Sequence, residues 1–391
     1  MAPKPEYIYI AFDVFPSQKG AATHINHCLR ALQSTFGTGL LICLGTDDMP
    51  GFQYDDERNL YVYRWKEKVA NFLDRTEKFQ VSVLELLQSS FCEGVQLIHF
   101  RDIWGGIPVI KSRLRCKTVF EVNALMHIEL SNRYPNISET VLEKIKHFEH
   151  HCIAHCDAII TPSAVTKKFI IKNFAGDADT ISVIPNGVQF YDTATSVIKV
   201  LSPSPYILYF GALQNWQGLK ILLKAFKELD DLNIRLRICS SVPEKRALMF
   251  YELAKDIGVS HNIDWLYELD KYELAHQINN AILSVAPLTT CNRNILQGCC
   301  PLKILESMSY GIPVVASDIP LIRELIENNT TGFLVPPDRP EVLGRKIRTL
   351  LESPTQLKKV GMNGKKAIEK KYLWEYQEDK MKEVYKTLLP S

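Results

Sequence analysis

The chain has 391 residues, a formal net charge of +2, a hydrophobic fraction of 46% and a charged fraction of 23%. These values exclude a disordered, collagen-like or coiled-coil chain, and the near-neutral balance without a clustered basic excess argues against a nucleic-acid binder. The length predicts two domains of similar size, each able to bury its own core.

The amino terminus, MAPKPEYIYIAFDVF, has a short apolar run with acidic and proline neighbours and no cleavage-like segment, so no signal peptide is expected. No apolar run approaches the roughly eighteen residues of a spanning helix. The expected location is cytoplasmic, with a peripheral contact at the inner membrane face left open. The ten cysteines then read as buried thiols and not as bridges.

Strand-like runs rich in β-branched and aromatic residues follow in order at 7–12, 39–45, 60–65, 96–100, 117–122, 157–163 and 181–186. Helical candidates lie between them, among them 21–33 and 138–155. The strands are apolar throughout and do not alternate, which indicates parallel sheets covered on both faces. The polar, proline- and serine-containing stretch 189–206 reads as an interdomain linker. The pattern then restarts, with strands at 206–212, 234–240, 281–288, 313–318 and 332–337. The expected layout is an amino-terminal domain over 1–195 and a carboxyl-terminal domain over 196–372. A last helix over 373–391 would pack back on a domain surface through Leu373, Tyr376, Met381, Val384, Tyr385 and Leu388. Ligands of such sheets bind at the carboxyl ends of the strands.

The stretch QGCCPLKILESMSYGIPVVASD, 297–318, concentrates the chemistry. Pro301 suits the first position of a helix, so 299–302 would be a strand-to-helix turn whose free N–H groups and positive dipole end attract phosphate. Lys303 adds a full charge there, and Glu306, three residues on, projects from the same side. A carboxylate so placed suits the two neighbouring hydroxyls of a ribose, and the lysine suits a diphosphate, which together describe a nucleotide-diphosphate ligand. The alternative is a local ion pair on an exposed face. Gly311 would end the helix. Cys299 and Cys300 read as small apolar residues at a crowded turn.

Five segments carry a family resemblance: 301–337 with Glu306, Gly311, Pro313, Asp318, Glu324 and Gly332; 206–226, YILYFGALQNWQGLKILLKAF; SVIPNGV at 182–188; PSQKGAATHINHCLRAL at 16–32; and DAIITPS at 157–163. In order and spacing they resemble the retaining glycosyltransferases of the GT-B fold, specifically family 4 (glycosyl transferases group 1), over nearly the whole chain. The resemblance implies two Rossmann-like, doubly wound domains facing a central cleft. It also implies transfer of a sugar from a UDP- or GDP-sugar to a hydroxyl of a sugar, lipid-linked or small-molecule acceptor, with the anomeric configuration kept and no metal or other cofactor required. By resemblance Glu306 grips the donor ribose, the turn Cys300, Pro301 and Leu302 holds the diphosphate, and Gly20 and Ala21 bring N–H groups to the reacting phosphate; Lys303, which typical members lack, is read from its own charge as a diphosphate ligand. Gly211, Gln217 and Gly218 complete the donor contacts, and His127, near Glu129, supports a bound sugar.

Three departures stand out. Gly298 occupies the place of a second family glutamate, Ala212 and Gln217 those of an arginine and a lysine, and Asn123 that of a histidine. Lys303 and Arg293 are read as compensating. The other readings are a catalytically silent GT-B subunit that binds a partner or nucleotide, motivated by those losses, and a GT-B nucleotide-sugar epimerase.

Among remaining candidates, His151, Cys152, His155 and Cys156 have zinc-compatible spacing but no second ligand pair, so helix packing is the expectation. Asp13 and Lys19 read as solvated loop charges. His99 and Arg101 end a strand, and Arg101 is expected to pair with Asp102. Asn136 and Asn329 fit glycan-acceptor patterns that the absence of a secretory route discounts.

Overall fold

The computed structural model describes residues 3–17, 20–189 and 205–389. Lys19, most of the expected linker and the expected domain boundary at 195/196 lie outside the described residues. Contacts divide the chain into two compact units, one of 1–185, 297–299 and 377–391, the other of 186–296 and 300–376.

Unit 1 runs β1 (Tyr7–Val14), α1 (Gly20–Phe36), β2 (Gly39–Leu44), β3 (Phe52–Asp55), β4 (Leu60–Trp65), α2 (Phe72–Leu87), β5 (Leu97–Phe100), α3 (Ile103–Ser112), β6 (Lys117–Glu121), α4 (Met126–Arg133), α5 (Glu139–His155), β7 (Ala158–Thr161), α6 (Ala164–Phe174) and β8 (Ile181–Val183). Its sheet has the order β3-β4-β2-β1-β5-β6-β7-β8. All pairings are parallel except β3 with β4, which is antiparallel. The parallel sheet expected is thus present, with one antiparallel strand added at its edge.

The central strand β1 shows why its sequence is apolar throughout. Ile8 and Ile10 face the cluster built with α2 and α3, whereas Tyr7, Tyr9 and Ala11 face α1. Both faces are dry, and each large side chain so buried contributes about 2 kcal/mol of transfer free energy.

Unit 2 runs β9 (Tyr206–Gly211), α7 (Leu219–Phe226), β10 (Arg235–Ser240), α8 (Leu248–Asp256), β11 (Ile263–Tyr267), α9 (Lys271–Asn279), β12 (Leu283–Ala286), α10 (Leu302–Ser309), β13 (Val314–Ser317), α11 (Pro320–Arg323), β14 (Phe333–Val335), α12 (Pro340–Leu351) and α13 (Pro354–Lys371). The sheet order is β11-β10-β9-β12-β13-β14, parallel throughout. The order reverses between β9 and β12, the point at which such sheets open a ligand crevice at their carboxyl ends.

The last helix, α14 (Trp374–Leu388), packs Met381 and Tyr385 against the α1 side of unit 1. Its buried stripe is Trp374, Gln377, Met381 and Tyr385, spaced three, four and four. Tyr376, expected on that face, is 41% exposed, because a helix of this register turns it away from the stripe.

The β9–α7 turn depends on Gly218, which has φ +74° and whose Cβ, were there one, would lie 1.7 Å from the Pro287 carbonyl oxygen. Gly218→Ala is expected to destabilise the protein by about 2–4 kcal/mol, since strain and overlap add. Urea denaturation beside the wild type measures it, and a loss under about 0.5 kcal/mol would contradict the steric account.

Candidate active site

In unit 2 the carboxyl end of β9 faces α10. Pro301 is the N-cap of α10 (φ −68°, ψ 109°), one position before the helical start expected for it, and a π-helical turn, Arg293–Gln297, precedes it. Asn294, fully buried, ties that turn to the β9–α7 connection by donating to the Trp216 carbonyl at 2.9 Å, and to the loop after β12 by donating to the Thr289 carbonyl at 2.8 Å. Arg293 lies over the Trp216 ring at 5.1 Å. Cys300 is buried, and its carbonyl accepts from Asn186 at 2.7 Å. Gly311 follows the helix with φ +72°.

Lys303 and Glu306 leave α10 on one side. The Lys303 ammonium sits 4.4 Å from the centre of the Tyr209 ring. It lies at the end of β9, where a Cβ on Gly211 would be only 3.4 Å from its Nζ. A cation over a buried aromatic face is stabilised by the ring quadrupole. Burial pushes the Glu306 carboxyl up to about 7, against the opposing pull of Lys303. That environment is not the solvated surface pair that spacing alone allowed. Gln217 ends the short turn before Gly218, and its Oε1 is buried without a hydrogen-bond partner among the described residues.

Gly298, which counts with unit 1, has φ +75°, and a Cβ there would lie 2.6 Å from Ser163 Oγ and 2.9 Å from Val165 Cβ. A side chain at this position would need Ser163 and Val165 to shift and a left-handed backbone to be tolerated. Its neighbour Gln297 is fully buried, with Oε1 accepting from the Leu125 N–H at 2.9 Å and Nε2 donating to Glu129 at 2.9 Å.

In unit 1 the first helix opens at Gly20, followed by Ala21, and the opening N–H groups of a helix have no partner within it. His127 is on α4, its Nδ1 bonded to the buried Glu149, which also accepts the His127 N–H at 3.2 Å. His151 and His155 stack at 4.2 Å, and His155 Nδ1 meets the His151 carbonyl at 2.8 Å, while Cys152 is buried. The sequence HCIAHC thus serves helix packing.

The feature sequence reasoning missed is a carboxylate hub. Glu121, 1% exposed, ends β6 on the face that β1 and β5 give to α1. Its Oε2 accepts from Tyr9 OH at 2.8 Å and lies 3.4 Å from Cys28 Sγ and 3.2 Å from His99 Nε2. Its Oε1 binds Arg101 Nη1 and Asn123 Nδ2, and lies 3.2 Å from His24 Nδ1. Arg101 does not pair with Asp102 as expected. It reaches back to Glu121 and sideways to Asp13, at 3.3 Å, while Asp102 caps α3 at the Gly105 N–H, 2.9 Å, and takes the Phe12 N–H at 2.8 Å. Asp13 is thus on β1 and paired with Arg101, while its side chain stays 41% exposed. From α14, Tyr385 OH meets His99 Nδ1 at 2.9 Å.

Burial alone would raise the Glu121 carboxyl, but Arg101 and the imidazoles beside it hold it well below the usual carboxylate range. Burial pushes His24 down to about 4, with Arg101 opposing the imidazolium as Glu121 favours it. His24, Cys28 and Glu121 would suit a metal by distance, but Arg101 Nη1, 3.1 Å from His24 Nδ1, fills the position with a fixed cation.

A histidine neutral in the fold and titrating normally when unfolded lets the unfolded chain bind more protons between about pH 6.5 and 4. Its share of stability is thus complete above pH 6.5 and lost as the pH falls through that window, by up to about 3 kcal/mol. Asp102, pushed up to about 6, has the opposite slope. The expected result is a shallower loss of melting temperature from pH 7 to 4.5 in His24→Gln than in the wild type. Parallel curves would contradict it.

Comparison with known proteins gives a consistent picture. A family model for glycosyl transferases group 1 matches 195–367, and one for glycosyltransferase family 4 matches 19–190. An uncharacterized glycosyltransferase of Methanocaldococcus jannaschii is 22% identical over 70% of this chain and 70% of its own. Two further relatives are spanned over 59% and 64% of their own lengths. Sucrose-phosphate synthase of Thermosynechococcus elongatus superposes with a TM-score of 0.81 at 17% identity, over 99% of each chain. The Anabaena protein Alr3699/HepE, solved with UDP and glucose, gives 0.74 at 15% identity, over 97% of this chain and 99% of that one.

Proposed function

Because the chain belongs to the group 1 and family 4 glycosyltransferases and has their GT-B fold, we propose that it moves a sugar from a UDP- or GDP-sugar to an acceptor hydroxyl with retention at the anomeric carbon. The observation that carries the donor assignment is the placement of Lys303 and Glu306 on one side of α10 at the end of β9. The Lys303 ammonium and the head of α10, with Cys300, Pro301 and Leu302, take the diphosphate. As the glycosidic bond breaks, that leaving group gains charge, so a cation already fixed over Tyr209 acts where charge develops. Glu306 accepts the ribose hydroxyls, and Gly211 leaves the lysine its space. Gln217, Gly218 and Arg293 frame the same turn. Gly20 and Ala21 open α1 with N–H groups suited to an anion. His127, whose Nδ1 Glu149 holds, keeps Nε2 for a sugar hydroxyl.

Calorimetry with UDP and GDP, then mass spectrometry of products from a donor and acceptor screen, tests the assignment. Lys303→Ala is expected to lower turnover about 10²–10³-fold while its melting temperature stays within about 2 °C of the wild type. Equal turnover in a folded variant would remove Lys303 from the mechanism. If ribose needs the ionised carboxylate, nucleotide affinity rises as the pH passes upward through about 7, the value to which Glu306 is raised. Glu306→Gln should lose that part of the dependence. A variant keeping the full wild-type pH profile would place the ribose elsewhere.

A further inference from the structure

We propose that Asp13 and Arg101 form the acceptor-recognition pair, and that the acceptor they select is an uncharged sugar or polyol, without phosphate or carboxylate at its reacting end. The inference rests on the glycosyltransferase reading above. Asp13 lies near the end of β1, and Arg101 directly follows the adjacent strand β5. Their 3.3 Å contact stands at the strand ends, where such sheets take ligands.

The pair is built from behind. Arg101 is anchored by Glu121, itself 1% exposed, so its guanidinium cannot follow a ligand away from the sheet. Its Nη2 has no hydrogen-bond partner among the described residues. The Asp13 side chain is 41% exposed and the Arg101 side chain 13%. The open member of the pair is thus the carboxylate. A carboxylate acceptor beside a guanidinium donor matches two adjacent hydroxyls of a sugar.

Charge then decides the class of acceptor. Among the described residues in contact with the pair, Arg101 is the one cation, and against it stand Glu121, Asp13 and the capping Asp102. The neutral His24 adds nothing, and Arg75 is engaged on the Phe12 ring at 5.4 Å. Arg64 on β4 donates to the carbonyls of Phe15 at 3.0 Å and Pro50 at 3.1 Å, and is 7% exposed. An incoming phosphate therefore meets an exposed carboxylate before it meets a cation with donors to spare, whereas a hydroxyl meets an acceptor and a donor together.

The test uses the full chain, UDP- and GDP-sugars as donors, and matched acceptors: glucose with glucose 6-phosphate, and myo-inositol with myo-inositol phosphate. Transfer to the neutral member should be about ten-fold more efficient or better, the scale of one charge-assisted hydrogen bond gained or one repulsion avoided. Asp13→Ala should raise the KM for the neutral acceptor about ten-fold while the UDP affinity stays at the wild-type value. Asp13→Lys should shift the preference toward the phosphorylated member. Arg101 is left intact, since its removal strands a buried carboxylate and threatens the fold. Failure to bind any nucleotide sinks the glycosyltransferase reading itself. Nucleotide binding together with preferred transfer to the phosphorylated member, transfer to neither, or an unchanged acceptor KM in Asp13→Ala overturns the acceptor assignment alone.

Discussion

A carboxylate removed from water must be supplied with donors or it will take up a proton, and in unit 1 the supply to Glu121 dictates much else. Tyr9, His99 and Arg101 come from two neighbouring strands, and His24 and Cys28 from α1, so the register of β1, β5 and β6 and the seating of α1 are fixed by one side chain. A slip of any of these strands by one residue would turn its donor to the other face and leave the charge bare. Tyr385 extends the same constraint to α14, since its hydroxyl meets the far nitrogen of His99. The carboxyl-terminal helix is thus tied to the strand ends through polar contacts as well as through Met381 and Tyr385 in the apolar core.

The alternation of strands and helices was legible because buried parallel strands must be apolar on both faces, and β1, β5, β9 and β13 are. The two strands that went unread, Phe52–Asp55 and Ile263–Tyr267, are the outer members of their sheets. An edge strand keeps one side in water, so its sequence mixes polar and apolar residues and loses the signal. The same logic explains Tyr376. Polar Gln377 is fully buried in the stripe of α14, which no periodicity of apolar residues can announce.

The hub had a signal that went unused. A glutamate inside VFEV, two residues after a buried valine, faces the core by strand period alone. Glu306 within the run ILESM is a charge in an apolar segment of the same kind. What sequence could not supply was the partner set, because His24, His99 and Arg101 are brought to Glu121 by the order of strands in the sheet and not by proximity along the chain. Arg101 was read with its neighbour Asp102 for want of that order. The helix cap claimed Asp102 instead.

Gly298 shows how a missing motif residue is to be weighed. In sequence, a glycine where relatives carry a carboxylate suggests decay of the site. In the fold, the backbone there is left-handed and lies against Ser163 and Val165, so a side chain would be strained and crowded. Gly298 is thus read as close packing within unit 1, and Lys303 as a cation held over Tyr209 within unit 2.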